Sequence, residues 1–254
     1  MAGEAVADGV KSARRVFEFL EYFAEVQRAV SVAELANRFG YPNSSVSAVM
    51  RTMVGLGYLA YSGASRTYLP TARLPFLTGW IGTRLFDEES VRAVMQELSE
   101  ATGETILLGA QNGTRLQYIQ VLDATGPVRL HATSGSVRAL PHTAVGLVLL
   151  SRYTDAQLGP LIRRINHEEP DPAKHVALGA LLRTLAEVRR NGYARSLGGI
   201  VPGAGAVAMF LPEQVGVTRL AIGISSVESV LVQHRDRFIR VMRQAIERHV
   251  PPRG

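Results

Sequence analysis

The stretch SVAELANRFGYPNSSVSAVMRTMVGLGYL, residues 31–59, holds two short helical patterns separated by a tight turn. Ser31 opens the first, and Glu34, three residues on, completes the spacing of a capping box ahead of Leu35, Ala36 and Phe39. Gly40 ends it, since glycine accepts the left-handed backbone where a helix stops. Pro42, Asn43 and Ser44 start the second, in which Val46, Val49, Met50 and Met53 fall on one apolar stripe before Gly55 and Gly57 close it. Two helices joined across Gly40-Tyr41-Pro42 have the spacing of a helix-turn-helix, whose second helix enters a DNA major groove. The face opposite the stripe carries Asn43, Ser44, Ser45, Ser47, Arg51 and Thr52. These are hydroxyls and an amide for phosphates and base edges, with one guanidinium able to reach a guanine. A polar face alone is a property of any amphipathic surface helix, so the neighbours decide.

Upstream, Val16, Phe19, Leu20 and Phe23 recur at helical spacing from Ser12 onward, after a small, polar tail at residues 1–9. Downstream, Tyr58–Tyr61 and Arg66–Leu69 alternate as strands around Ser62-Gly63-Ala64-Ser65, which reads as a hairpin and its turn. The hairpin is placed as a wing, with Arg66 and Tyr68 set against the duplex backbone or minor groove. Residues 11–75 hold eight Arg or Lys against four Glu, a local net of +4. That balance suits phosphate neutralisation.

The whole chain has 254 residues and a formal charge of +6, with nearly half its residues apolar. It can therefore bury a substantial core. Lys11 and Lys174 are its only lysines, and the other cations are arginines. The absence of cysteine excludes disulfides, thiol nucleophiles and thiolate metal sites. Glu4 and Asp8 interrupt any signal-like run at the start, and apolar stretches such as Ala144–Leu150 are far short of the ~20 residues of a membrane span. The expectation is a soluble, cytoplasmic protein with no membrane partner.

Beyond the hairpin, a connecting helix is expected at 71–86, dividing a DNA-binding domain at 1–70 from a second domain at 87–254. In the latter, helical patterns fall at Glu88–Thr102, His142–Arg152, Asp155–Ile165, Lys174–Asn191 and Val230–His249, with proline-marked breaks at 160 and 170–172. Strand patterns fall at Thr105–Ala110, Leu116–Leu122, Val128–Thr133, Tyr193–Leu197, Ala204–Leu211 and Arg219–Ser225.

The helix-turn-helix segment resembles that of the IclR family of bacterial regulators. The similarity continues through ELSEATGETILLGAQNGTRLQYIQVL, GSVRALPHTAVGLVLLS and EVRRNGYARS, from about Ser12 to Arg248, and is most specific over Leu140–Gly146. The resemblance implies an α+β chain: a winged helix-turn-helix, a linker helix, and a C-terminal GAF-like α/β domain with a curved antiparallel sheet flanked by helices. It also implies a dimer or tetramer on a near-palindromic operator, with a small effector, often an organic acid, held in the second domain. No catalysis, cofactor or metal is expected.

On physical grounds Pro141, His142 and Thr143 begin a helix, whose free N–H groups and partial positive charge suit a carboxylate. The family likewise builds its pocket from Leu140, His142 and Thr143, from the preceding strand around Leu130 to Ser134, and from the loops after Gly192-Tyr193-Ala194. Ser196, Ala206, Gly223 and Ser225 occupy further family pocket positions. Cysteine is frequent where Ala206 stands, serine where Gly223 stands, lysine where Leu147 stands, and acidic residues along Ser196–Gly199. Those changes imply a more apolar pocket, suited to a larger, aromatic acid.

Three other readings were weighed against this one. Gly203–Ala208 matches the dinucleotide pattern GxGxxA, but a strand follows it where a helix is required. The six histidines at 131, 142, 167, 175, 234 and 249 form no HxxxH pair, and neither GxSxG nor HExxH occurs. An enzyme would then need a site assembled only in three dimensions. A DNA-binding protein whose second domain only oligomerises is also compatible with these residues.

Overall fold

A computed structural model describes residues 10–75, 77, 88–126, 132–199, 201–212 and 219–250. The chain divides into two compact units, Met1–Ile81 and Gly82–Gly254.

In the first unit, helix α1 (Lys11–Val26) is followed by strand β1 (Val30–Ser31), helices α2 (Val32–Phe39) and α3 (Asn43–Gly55), and the hairpin β2 (Leu59–Ser62)–β3 (Thr67–Pro70). Phe19 and Phe23 of α1, Leu35 of α2, and the stripe Val46, Val49, Met50 and Met53 of α3 are buried in one cluster. Each such side chain contributes ~1.5–3 kcal/mol by leaving water. Strand β1 pairs with β3 and so holds the hairpin along one edge, in a sheet of order β1-β3-β2.

Ser31 caps α2 by accepting from the Glu34 N–H, at 3.2 Å. The reciprocal half of the expected capping box is replaced: the Glu34 carboxylate turns to the Arg28 guanidinium at 2.6 Å and the Tyr22 hydroxyl at 2.8 Å. Those donors outcompete a single backbone N–H and hold the Glu34 carboxyl below the usual carboxylate range, Arg28 first and Tyr22 second. Gly40 closes α2 at φ 69°, with open space where a Cβ would stand.

The second unit is a six-stranded antiparallel sheet of order β6-β5-β4-β9-β8-β7. Its strands are β4 (Thr105–Asn112), β5 (Arg115–Leu122), β6 (Val137–Ala139), β7 (Tyr193–Leu197), β8 (Ala204–Phe210) and β9 (Leu220–Val227). Alternation splits their side chains between two cores. Ile106, Leu108, Val207, Met209, Ile222 and Ile224 face helices α4 (Glu88–Thr102) and α8 (Glu228–His249). Leu107, Leu116, Tyr118, Ala206, Ala208 and Ala221 face α5 (Ala144–Leu150), α6 (Asp155–Glu168) and α7 (Leu178–Asn191). All seven residues of α5 are buried.

Several expectations are corrected by long-range contacts. Residues 128–131 of the expected strand lie outside the described residues, and Ala132 and Thr133 are not in a strand; the edge strand is Val137–Ala139 instead. Pro160 does not break a helix but sits inside α6, on its exposed side. The helix expected from Lys174 begins at Leu178, because Asn166 grips the Val176 backbone at both its N–H and its carbonyl and keeps it out of the helix. Of the expected connecting helix, residues 73–75 and 77 are helical, while 76 and 78–86 lie outside the described residues.

Candidate functional site

Helix α3 turns its polar side outward. Asn43, Ser44 and Arg51 are exposed and have no hydrogen-bond or ionic partner among the described residues. Ser47 is half-buried, and Thr52 is exposed but donates back to the Ala48 carbonyl at 3.0 Å. Ser45 is half-buried and accepts a hydrogen bond from Arg15, whose guanidinium also lies over the Tyr41 ring. Part of the Ser45 hydroxyl's capacity is therefore committed inside the module.

The module's charges sort by position. Arg14 pairs with Glu18, Arg28 with Glu34 and Arg38 with Glu25. Arg51 on α3 and Arg66 on the hairpin pair with no described acid. Lys11, Arg15 and Arg73 likewise pair with no described acid, so the uncompensated positive charge is spread over α1, α3, the hairpin and the segment that follows it.

Arg66 is not in a strand as expected: with Ser62 opposite Thr67, it is the last residue of the turn, at φ 54°. Its side chain is exposed at the wing tip. Tyr68 is buried, its ring 4.8 Å from the exposed Tyr61 directly across the hairpin, so it packs the module and does not present itself as a wing contact.

In the second unit a cleft partly open to solvent lies on the α5 side of the sheet. Of the sequence-derived effector residues, it gathers Thr143, Ser196, Ala206 and Ser225 from four separate elements. Ser196 Oγ accepts from the Ala144 N–H at 3.1 Å, Thr143 Oγ1 accepts from the Gly146 N–H at 2.9 Å, and the Ser225 hydroxyl donates to the Gly205 carbonyl at 3.0 Å. The start of α5 therefore differs from the open amide cradle read from sequence. A 3-10 turn spans Leu140–His142, and side chains already take two of the first free N–H groups.

The remaining expected residues stand elsewhere. Leu130 lies outside the described residues. Leu140 is fully buried in the core, and exposed Ser134 accepts from the Val121 N–H at 3.0 Å. His142 turns away into a neighbouring hollow, where its Nε2–H donates to the Lys174 carbonyl at 2.9 Å. Gly223 is roofed by Val145, which a Cβ there would meet at 3.0 Å; Gly109, on the neighbouring strand, meets the same valine at 2.8 Å. These two glycines let α5 sit close on the sheet, so Gly223 shapes the floor without lining the cleft.

Sequence reasoning missed Tyr118 on β5 and Arg138 on β6, which both line the cleft. Burial pushes the Tyr118 phenol up to about 12, with Arg138 acting in the opposite direction. Tyr118 lies in an expected strand but carries no motif, and Arg138 lies beyond the strand expected at Val128–Thr133. Among the described residues there is no group of three potential metal ligands, and no helix is long and apolar enough to cross a membrane.

The architecture has counterparts in known proteins. A family model described as the IclR helix-turn-helix domain matches residues 12–63, and one described as bacterial transcriptional regulator IclR C-terminal matches residues 88–248. The HTH-type transcriptional regulator KdgR of Escherichia coli (strain K12) is 30% identical over 222 residues, covering 86% of this chain and 82% of KdgR. The transcriptional repressor IclR of the same organism is 25% identical over 191 residues, covering 73% of this chain and 68% of its own. Among solved structures, the Thermotoga maritima IclR has the same fold, with a TM-score of 0.66 at 20% identity, covering 94% of this chain and 96% of that one. With each of its two units matched by the corresponding family model, the chain belongs to the IclR family of DNA-binding transcriptional regulators.

Proposed function

We propose that this regulator is ligand-responsive: residues 1–70 bind a near-palindromic operator, and residues 87–254 hold a small organic acid and join copies into a dimer or tetramer. Asn43, Ser44, Ser45, Ser47 and Arg51 meet the major groove in this reading, with Arg66 on a wing phosphate. Paired recognition helices enter successive grooves about one helical turn apart, or a multiple of it. The cleft takes the acid, and the acid changes operator occupancy by binding one arrangement of the paired wings better than the other. The protein works in the cytoplasm and carries no catalysis.

The observation that supports the sensing part most directly is the cleft itself, an apolar-floored recess with polar groups on its walls. An electrophoretic mobility shift with duplex DNA from upstream of the protein's own gene, repeated while organic acids are titrated in, tests both parts. A shifted band whose occupancy changes with an acid is the expected result. Binding unaffected by any acid would leave an operator-binding oligomer without a sensor.

A further inference from the structure

We propose that Arg138 and Tyr118 anchor the effector's carboxylate, so that the ligand of this cleft is a monocarboxylate with an apolar body. This rests on the cleft being the effector site.

The two side chains meet by register. In the antiparallel β5–β6 pair Arg138 stands opposite Leu116, whose side chain belongs to the core on the α5 side of the sheet. Tyr118 is two residues further along β5 and so shares that face, diagonal to Arg138. Both line the cleft.

Tyr118 is only 6% exposed, and its hydroxyl has no hydrogen-bond partner among the described residues. Tyr118 lines the cleft, and no enclosed side-chain nitrogen or oxygen among the described residues is left without a partner. With its phenol raised to about 12 by burial, Tyr118 keeps its proton at neutral pH and is a donor there.

Arg138 is half-buried and pairs with no carboxylate among the described residues. Nη1 donates to the Val137 carbonyl at 2.9 Å. A guanidinium has further N–H groups, in a fork that matches a carboxylate.

Of the other polar walls, Ser225 and Thr143 direct their hydroxyl protons to the Gly205 and Leu140 carbonyls, while Ser196, which accepts from the Ala144 amide, keeps its O–H as a further donor to the carboxylate. Among the described residues no acidic side chain lines the cleft, which disfavours a cationic ligand, and the one guanidinium among them matches one carboxylate. Leu107, Ala132, Ala144, Val145, Val201 and Ala206 leave an apolar bed for the remainder of the molecule.

Calorimetric titration of the full chain with benzoate and hexanoate, and with their uncharged counterparts benzamide and hexanamide, tests this. The expected result is that at least one acid binds, and binds at least about tenfold tighter than its amide. Arg138→Gln is expected to weaken that acid about ten- to hundredfold, the range of a charge-assisted hydrogen bond, and to leave the amide unchanged. Tyr118→Phe is expected to weaken it about three- to tenfold. Arg138→Lys, which keeps the charge without the fork, is expected to retain a preference for the acid at reduced affinity. Circular dichroism melts confirm that each variant is folded.

An acid that binds wild type and Arg138→Gln equally would overturn the anchor while leaving the cleft as effector site. If Arg138→Gln does not fold, an Arg138→Lys variant without acid preference would do the same. Failure of both acids to bind the wild-type protein overturns the monocarboxylate assignment. The acid-titrated mobility shift then shows separately whether the sensing role falls with it.

Discussion

Ser196 on β7 holds the first turn of α5 from across the sheet: its Oγ lies 3.1 Å from the amide nitrogen of Ala144, 52 residues earlier in the chain. The bond ties the far edge strand to the helix that backs the cleft. It also satisfies a buried N–H that the helix itself cannot. Ser196→Ala is expected to destabilise the second unit by about 1–2 kcal/mol, read as a lower urea midpoint at unchanged slope. An unchanged midpoint would mean that water replaces the hydroxyl at no cost.

Ser44 and Ser45 are adjacent on α3 but differ in what they touch. Ser45 is held by Arg15, whereas Ser44 is exposed without a partner among the described residues. Ser44→Ala is therefore expected to weaken operator binding and leave the melting temperature unchanged, while Ser45→Ala lowers the melting temperature as well. Arg51→Ala should cost ~1–3 kcal/mol of operator affinity if it reads a guanine, measured by fluorescence anisotropy at fixed salt. Equal affinity for Arg51→Ala and wild type removes that role.

Two glycines predict opposite sensitivities to alanine. At Gly146 a Cβ would stand 1.8 Å from the Leu140 carbonyl oxygen, a backbone atom that cannot rotate away. Gly146→Ala is expected to cost about 3 kcal/mol or more, beyond ordinary overpacking, and to be visible as poor soluble yield or a large fall in melting temperature. At Gly40 the space is open and only the positive φ of 69° opposes a side chain. Gly40→Ala should cost only about 1 kcal/mol.

Tyr118 makes stability depend on alkaline pH. Its folded value, about 12, exceeds the ordinary 10.0, so folding favours the neutral phenol. The contribution, on the order of 2–3 kcal/mol, is complete below pH 10 and is lost as pH rises through about 12. Tyr118→Phe should flatten that part of the stability profile, and a late phenolate absorbance step should disappear with it. Loss of stability beginning well below pH 10 in wild type and not in the variant would contradict the sign.

The first unit was legible residue by residue because its determinants are local. The apolar spacing of Val46, Val49, Met50 and Met53, the serine at 31 and the glycine at 40 each act within a few positions, and all are buried or capped as read. The errors there came from partners farther away. Arg28 and Tyr22 drew Glu34 off its capping role, and β1 helped to bury Tyr68 within the three-stranded sheet.

The second unit was legible in its alternation but not in its site. Thr143, expected there from the helix start, and Ser196, Ala206 and Ser225, expected there from the resemblance, do meet in the cleft, whereas His142, Leu140, Ser134 and Gly223 do not line it. Nothing in local spacing tells a side chain at a helix start to face a cleft or, like His142, to reach the Lys174 carbonyl. Arg138 and Tyr118 carry no motif at all; a pairing of Leu116 with Arg138 puts them side by side.

What the amino-acid order determined by itself is most of the succession of helices and strands and their apolar faces. Those depend on periodicity, caps and turns, whose interactions reach only a few residues along the chain. The tertiary structure alone decided which polar groups are consumed inside the protein and which are left for a ligand or a duplex. Hydrogen bonds and desolvation depend on distance in space, and here they join residues 52 positions apart as closely as neighbours.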